Sequence, residues 1–247
     1  MFRPEVAPGI HLVEYADVNC YLVDDGDRLL LVDAGLPAGW KAIVAALREL
    51  GRRPGELEAV VLTHGHFDHI GTVARIQRDF GLPVHISPGD TYIAAHPYRY
   101  QHEKNRLSYP LKYPRSLPVL VKMTLAGALN VRGVSGLQPL SVEQAPTLPG
   151  QPVLVPTPGH TAGHCALHFP GRDTVISGDA LVTLDPYTGR SGPQTVSAAA
   201  TGDSRQAVAS LDALEATGAQ VLLPGHGLPF TGGAAAAAQQ ARQRGTT

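Results

Sequence analysis

VVLTHGHFDHIGTV (60–73) breaks the hydropathy pattern of the chain abruptly. An apolar run ends at Thr63, and four metal-competent side chains, His64, His66, Asp68 and His69, follow within six positions. LEAVVLT (57–63) is apolar enough for a strand buried on both faces. From His69 to Phe80, the residues Ile70, Val73 and Ile76 fall on one stripe at helical spacing. A buried strand therefore hands over to a helix through a polar turn that carries a glycine. Layered α/β proteins put their chemistry on such loops at strand ends.

The pattern extends in both directions. IHLVEY, NCYLVDD and RLLLVDAG, between residues 10 and 35, read as three strands, with DDGD (24–27) turning the last two into a hairpin. Trp40, Ile43, Val44, Leu47 and Leu50 then recur at helical spacing, and Gly51 closes that helix. PVHIS (83–87) is another strand. Strand patterns resume at 152–157, 164–169 and 173–179. Ser204–Leu214 reads as an amphipathic helix, AQVLLPGHG (219–227) as a last strand and loop, and the alanine run 234–238 with QQARQR as a closing helix. Two such halves make a two-sheet core with helices outside, in one domain spanning 1–247.

Residues 96–139 differ. Within them Arg99, Lys104, Arg106, Lys112, Arg115 and Lys122 face only Glu103 as a nearby acid, with Tyr98, Tyr100, Tyr109 and Tyr113 interleaved. This segment reads as a partly helical insertion that forms a lid or pocket wall.

Composition narrows the class. The chain has 247 residues, 43% hydrophobic and 17% charged, which is globular rather than disordered. A formal net charge of −1 provides no field to draw nucleic acid or an anionic membrane. No apolar run approaches the ~20 residues of a membrane span, and MFRPEVAPGIHLVEY lacks a signal-peptide core. Cys20 and Cys165 form no disulfide framework. The expectation is a cytoplasmic protein, monomeric or homodimeric, with a small-molecule substrate and neither nucleic-acid nor membrane partners. Leu117, Val119, Leu120 and Val121 are candidates for a dimer contact.

In extended backbone, side chains two apart point the same way, so His64 and His66 can bite one ion while Gly65 lets the chain turn tightly. If a helix starts there, Asp68 and His69 project sideways, towards a second ion. Three later clusters, each ending a strand pattern, offer further ligands: TPGHTAGH with His160, SGDAL with Asp179 and LPGHG with His226. Glycine beside each allows close backbone approach to a small site.

HGHFDH, TPGHTAGH, SGDAL and PGHG, in that order, resemble the metallo-β-lactamase superfamily. The likeness runs from LVDAG to PGHG, and the motif H-x-H-x-D-H is matched in full. The resemblance implies a four-layer αβ/βα sandwich. It implies that His64, His66 and His160 hold one metal, that Asp68, His69 and His226 hold a second, and that Asp179 bridges them. Asp33 in LVDAG would buttress the metal loop. Two divalent ions, zinc first and iron or manganese as alternatives, would hold a bridging hydroxide. It would attack an ester, thioester, lactone or similar bond, and Asp68 would pass a proton to the leaving group.

Departures from particular members refine the expectation. Asp179 and His69 stand where the main zinc β-lactamases use other residues, cysteine at the second metal among them. His66 occupies the position of a glutamate in flavodiiron proteins. Lactonases resembling this motif set often carry a tyrosine three residues after the bridging aspartate. Val182 stands there, which leaves Tyr187 as the oxygen-stabilising candidate. Glyoxalase II is similar over both histidine motifs but adds a helical domain for glutathione, and here the chain ends soon after His226. Tyr98, Arg99 and Tyr100 are expected to grip the non-reacting part of the substrate. Tyr187 and Arg190 are expected on a loop near the metals, within DPYTGRSGPQ (185–194). Two other classes stay open: an oxidoreductase resembling the persulfide dioxygenases, with one iron, and a metal-binding module without catalysis. His164 and His168 read as structural or substrate-facing, His85 as a satisfied core residue, and both cysteines as buried packing.

Overall fold

The computed structural model describes Met1 to Thr247, the side chain of Pro146 excepted. The first half runs β1 (Phe2–Ala7), β2 (Ile10–Tyr15), β3 (Val18–Asp24), β4 (Leu29–Val32), α1 (Trp40–Glu49), β5 (Leu57–Val61), α2 (Phe67–Ile70), α3 (Val73–Phe80) and β6 (Val84–Ile86). It continues through α4 (Thr91–Ala95), α5 (Tyr109–Lys112), α6 (Leu117–Leu125) and β7 (Gln138–Pro139). The second half holds β8 (Val153–Pro156), β9 (Cys165–Phe169), β10 (Thr174–Gly178), β11 (Val182–Leu184) and β12 (Ser191–Gln194). It closes with α7 (Ser204–Ala209), α8 (Leu211–Glu215), β13 (Val221–Pro224) and α9 (Ala234–Arg244).

One sheet is ordered β1 to β7, antiparallel from β1 to β4 and parallel from β4 onward. A second is ordered β13-β10-β9-β8, and β11 pairs with β12. Side-chain alternation makes the layers. From β3 to β5, Leu22, Leu29, Leu31 and Val60 face one way, onto Ile43 and Leu47 of α1 and Val73 and Ile76 of α3. Tyr21, Val23, Leu30, Val32 and Val61 face the other way, onto Leu154, Leu167, Ile176 and Leu223 of the second sheet. The far face of that sheet, with Ala166, Val175 and Leu222, is covered by Leu211, Leu214 and the alanines of α9. The result is helices, sheet, sheet, helices. Each wholly buried Leu, Ile or Val contributes roughly 1.5–3 kcal/mol, so the two central sheets carry most of the apolar driving force. No helix among the described residues is long and apolar enough to cross a membrane.

Several elements differ from expectation. The helix from His69 to Phe80 is two helices, broken at Gly71 and Thr72. Gly71 donates to Gly35 O at 2.6 Å, and a Cβ there would stand 2.5 Å from that oxygen, so the backbones touch. Thr72 Oγ1 donates to Ala34 O at 2.7 Å. Ser204–Leu214 likewise splits into α7 and α8. β1, not among the expected strands, is a largely exposed edge strand in which only Phe2 and Val6 are half-buried before Ala7. Residues 191–194, expected as loop, form β12, leaving a tight turn at 185–190. There Asp185 accepts from Tyr187 N at 3.1 Å and from Thr188 Oγ1 at 2.7 Å. The segment 96–139 holds α5 and α6 but ends as β7, the last strand of the first sheet. Of the apolar residues considered for a dimer contact, Val119 is buried in the core, while Leu117 and Val121 are exposed.

Candidate metal centre

The site is assembled where β4, β5, β10 and β13 end. At the end of β4, Asp33 sits in left-handed backbone at φ 59°, a conformation that Asp and Asn tolerate better than most residues. Asp33 Oδ1 accepts from Thr63 N at 2.8 Å. Its Oδ2 accepts from Thr63 Oγ1 at 2.9 Å and from His69 Nδ1 at 3.0 Å. The Thr63 proton is thereby spent, so its oxygen accepts from His64 Nδ1 at 3.0 Å. His226 Nδ1 donates to Asp17 O at 2.7 Å. Thr201 Oγ1 donates to Val196 O and so accepts from His160 Nδ1 at 3.3 Å. In all four rings the proton is drawn to Nδ1, and the Nε2 lone pair is left facing inward.

These lone pairs meet at one place. His64 Nε2, His66 Nε2, His69 Nε2, His160 Nε2 and Asp179 Oδ1 are all buried without a hydrogen-bond partner. His64, His66 and His160 form one group with donor atoms within 4.8 Å of each other, and Asp68, His69 and His226 form another. Asp179 lies between them. Its Oδ1 is 3.6 Å from His69 Nε2, and its Oδ2 is 3.6 Å from His160 Nε2 and 3.3 Å from His226 Nε2. Asp68 Oδ2 stands 3.3 Å from His226 Nε2. The seven residues expected as ligands are thus brought together.

A buried acceptor left unpaired costs about 1–3 kcal/mol. Five at one point would consume a large part of the 5–15 kcal/mol that typically stabilises a domain. Imidazole nitrogens and carboxylate oxygens converging without donors fit divalent cations. The electrostatics agree. Burial alone would push His69 down, yet the carboxylates of Asp179, Asp33 and Asp68 raise it to about 9. His226 is likewise raised against burial, by Asp179 and Asp68. The carboxylates call for positive charge at the centre, which a proton or a metal ion can supply. On the other side, burial and the neighbouring imidazoles hold His64 well below its ordinary range. Burial brings His160 down to about 3, despite Asp179.

Glycines set the spacing by absence of bulk. Gly65 is not in left-handed backbone, and what the site uses is its lack of a side chain. A Cβ there would stand 2.9 Å from Asp90 O and 2.7 Å from Ile93 Cγ1. At Gly225 a Cβ would fall 2.1 Å from Asp179 Oδ1, so glycine makes room for the central carboxylate.

Two supporting residues had no clear signal in the sequence. Asp90 is wholly buried and ties two ligand loops together. Its Oδ2 accepts from Gly65 N at 2.9 Å and Thr161 Oγ1 at 2.6 Å, and its Oδ1 from Gly163 N at 2.7 Å. In SPGD it reads as an ordinary turn residue. His164 is structural rather than substrate-facing: Asp179 N donates to its Nε2 at 3.0 Å, so its Nδ1 donates to Thr157 Oγ1 at 2.8 Å. Cys165 and Cys20 are free and buried, and burial raises both thiols out of the reactive range. His85 is not the satisfied residue expected, because its buried Nδ1 has no partner.

A cavity of about 480 Å³ opens over the cluster, with His66, Asp68, His160, Asp179 and His226 at its floor. Phe67, Leu107, Leu120, Met123 and Leu129 give it an apolar wall. Tyr98, Tyr100 and Tyr187 line it as well. The Tyr98 hydroxyl is already committed, donating to Ala128 O and accepting from Val131 N at 2.7 Å. The Tyr100 ring packs on His66 with centroids 4.2 Å apart, and its hydroxyl is 3.4 Å from that of Tyr187. Arg99 faces a separate hollow beside His66 and His160. Arg190 lies outside the main cavity, with its guanidinium over the Tyr113 ring. The turn that carries it directs Tyr187 inward instead.

Fold and cluster together define the class, a four-layer α/β protein with a buried histidine–carboxylate centre of metal-ligating type. The chain belongs to the metallo-β-lactamase superfamily, whose sequence profile matches residues 15–226. The probable metallo-hydrolase YflN of Bacillus subtilis is 28% identical over 239 residues, 92% of this chain and 87% of the relative. TTHA1429, a metallo-β-lactamase family protein of Thermus thermophilus, superimposes with a TM-score of 0.68 at 23% identity, covering 94% of this chain and 78% of its own. TTHA1623, solved in a di-iron-bound form, superimposes with a TM-score of 0.59 at 25% identity, covering 87% of this chain and 89% of its own.

Proposed function

We propose that this chain is a dinuclear metal-dependent hydrolase acting on an ester, thioester, lactone or similar bond of a small molecule. The observation that carries this is the convergence of five partnerless buried ring nitrogens and carboxylate oxygens, three of them on His66, His160 and Asp179 at the floor of one apolar-walled cavity. His64, His66 and His160 would hold one ion, Asp68, His69 and His226 the other, with Asp179 shared. Zinc is the first candidate, and iron or manganese the alternatives. TTHA1623 supports a two-ion reading, and YflN a hydrolase. When bound, the ions would supply Lewis acidity and bring the pKa of water towards neutrality.

The protein residues divide the remaining work. Asp33, through Thr63 and His69, holds two ligand rings in one tautomer. His164 fixes the backbone of Asp179, and Asp90 holds the ligand loops at their spacing. Asp68 faces the cavity and can carry a proton to the leaving group. Burial raises Tyr100 and Tyr187, so both keep their protons and can donate to a carbonyl oxygen. The wall from residues 96–139 excludes water and shapes the pocket.

Elemental analysis of protein purified without chelators tests this reading. About two divalent ions per chain, with turnover on a panel of esters, thioesters and lactones, is the expected result. One iron per chain with little zinc, and oxygen uptake on a persulfide, would replace the hydrolase with a single-iron oxidoreductase. No retained metal after repletion would overturn both.

A further inference from the structure

We propose that Arg106 is an anion-binding subsite, and that the substrate carries a carboxylate on an apolar body of several carbons besides the bond that is cut. The identity of that bond rests on the hydrolase reading above; the subsite rests on the cavity wall.

Among the described residues, Arg106 is the one lysine or arginine in the cavity lining. Its Nη1 donates to the Tyr100 hydroxyl at 2.8 Å, and its guanidinium carbon lies 5.1 Å from the centre of that ring. It makes no ion pair among the described residues, and of the other arginines without an acidic partner, Arg99, Arg115, Arg132 and Arg190 among them, none lines this cavity. A guanidinium offers five N–H donors, and among the described residues Tyr100 is the one acceptor this guanidinium meets. Its surroundings are apolar. Leu107 and Leu129, both on the wall, are 80% and 77% exposed with nothing packed over them. A planar fork suits a carboxylate in bidentate geometry.

The charge count narrows the ligand. One guanidinium balances one negative charge, and no second lysine or arginine on the wall would serve a polyphosphate or nucleic-acid backbone. Distance narrows it further. The Tyr100 ring rests on His66, and its hydroxyl meets Arg106. The subsite therefore stands about one tyrosine side chain from the metal-ligating floor, on an apolar-walled cavity. A short methylene chain spans that interval.

The test compares chain-matched acids by isothermal titration: succinate against butyrate, glutarate against pentanoate, adipate against hexanoate, suberate against octanoate. One carboxylate of either probe can occupy the floor, so the difference within each pair reads the second carboxylate. At the length that fits, the diacid is expected to bind at least about tenfold tighter, as a charge-assisted hydrogen bond provides. Arg106→Met, which keeps the apolar stem, should abolish the difference, and Arg106→Lys should restore part of it. Unchanged melting temperatures would show that the variants are folded. Equal binding of diacid and monoacid at every length overturns the subsite, as does a preference that survives in Arg106→Met. Metal content of the same samples separates the two readings. Protein that retains no metal after repletion yet keeps an Arg106-dependent preference refutes the hydrolase alone, and metal-loaded protein without it refutes the subsite alone.

Discussion

Asp33→Asn removes one negative oxygen and changes nothing else in size. Asparagine tolerates the left-handed backbone at this position as aspartate does, so the substitution isolates the side chain. Its amide oxygen can keep the bond from Thr63 N, 2.8 Å in the parent. The NH2 then stands where Oδ2 accepted from both Thr63 Oγ1 and His69 Nδ1, at 2.9 and 3.0 Å. Two donors face a donor. If the threonine hydroxyl turns to accept from the amide, it competes with His64 Nδ1, so both ligand rings lose their tautomer lock. Two hydrogen bonds to a charged acceptor are worth about 3–6 kcal/mol together. Even the lower figure corresponds to a fall in Tm of roughly 6–12 °C for a chain of this size. A loss of a ligand's supporting partner weakens metal affinity typically 10–100-fold. The assays are thermal unfolding of metal-free protein and a competitive chelator titration of the loaded one. A variant with parental Tm and parental metal affinity would refute the claim that Asp33 holds His64 and His69 in place.

Asp90→Ala should cost about 3–6 kcal/mol of stability, because Gly65 N, Gly163 N and Thr161 Oγ1 lose a shared buried acceptor. Asp90→Asn, which keeps one carbonyl oxygen, should recover part of that loss in urea unfolding. At His164 the sign follows from burial, which depresses the folded pKa to about 3 from an ordinary 6.5. The unfolded chain therefore takes up the proton first, and the ring's contribution is complete above pH 6.5 and fades as pH falls towards 3. The stability difference between parent and His164→Gln, measured on metal-free protein, should shrink over that window, and a constant difference would contradict the neutral, acceptor role of Nε2.

The periodicity of 57–80 and the three strands before it contained the layering, because a strand apolar on both faces needs cover on both sides. His64, His66, Asp68 and His69 were legible because short spacing along one strand end already places them together. His160, Asp179 and His226 were legible only through the order of glycine-flanked motifs and the resemblance they carry. Asp90, His164 and Arg106 were not legible as a group. Nothing in SPGD distinguishes a buried clamp from a turn, since its three partners come from loops at 65, 161 and 163. Arg106 looks like one of seven lysines and arginines in the 96–139 segment until the fold shows which one faces the cavity.

The sequence by itself determined the layered α/β class and a set of metal-competent residues at strand ends, because side-chain period and local spacing are properties of a single segment. Only the tertiary structure decided which lone pairs meet, which histidine supports rather than faces the centre, and which tyrosine hydroxyls are already spent. Those outcomes depend on hydrogen bonds between residues up to about 200 positions apart, such as His226 Nδ1 to Asp17 O, and a buried polar group is defined by what the rest of the chain brings to it.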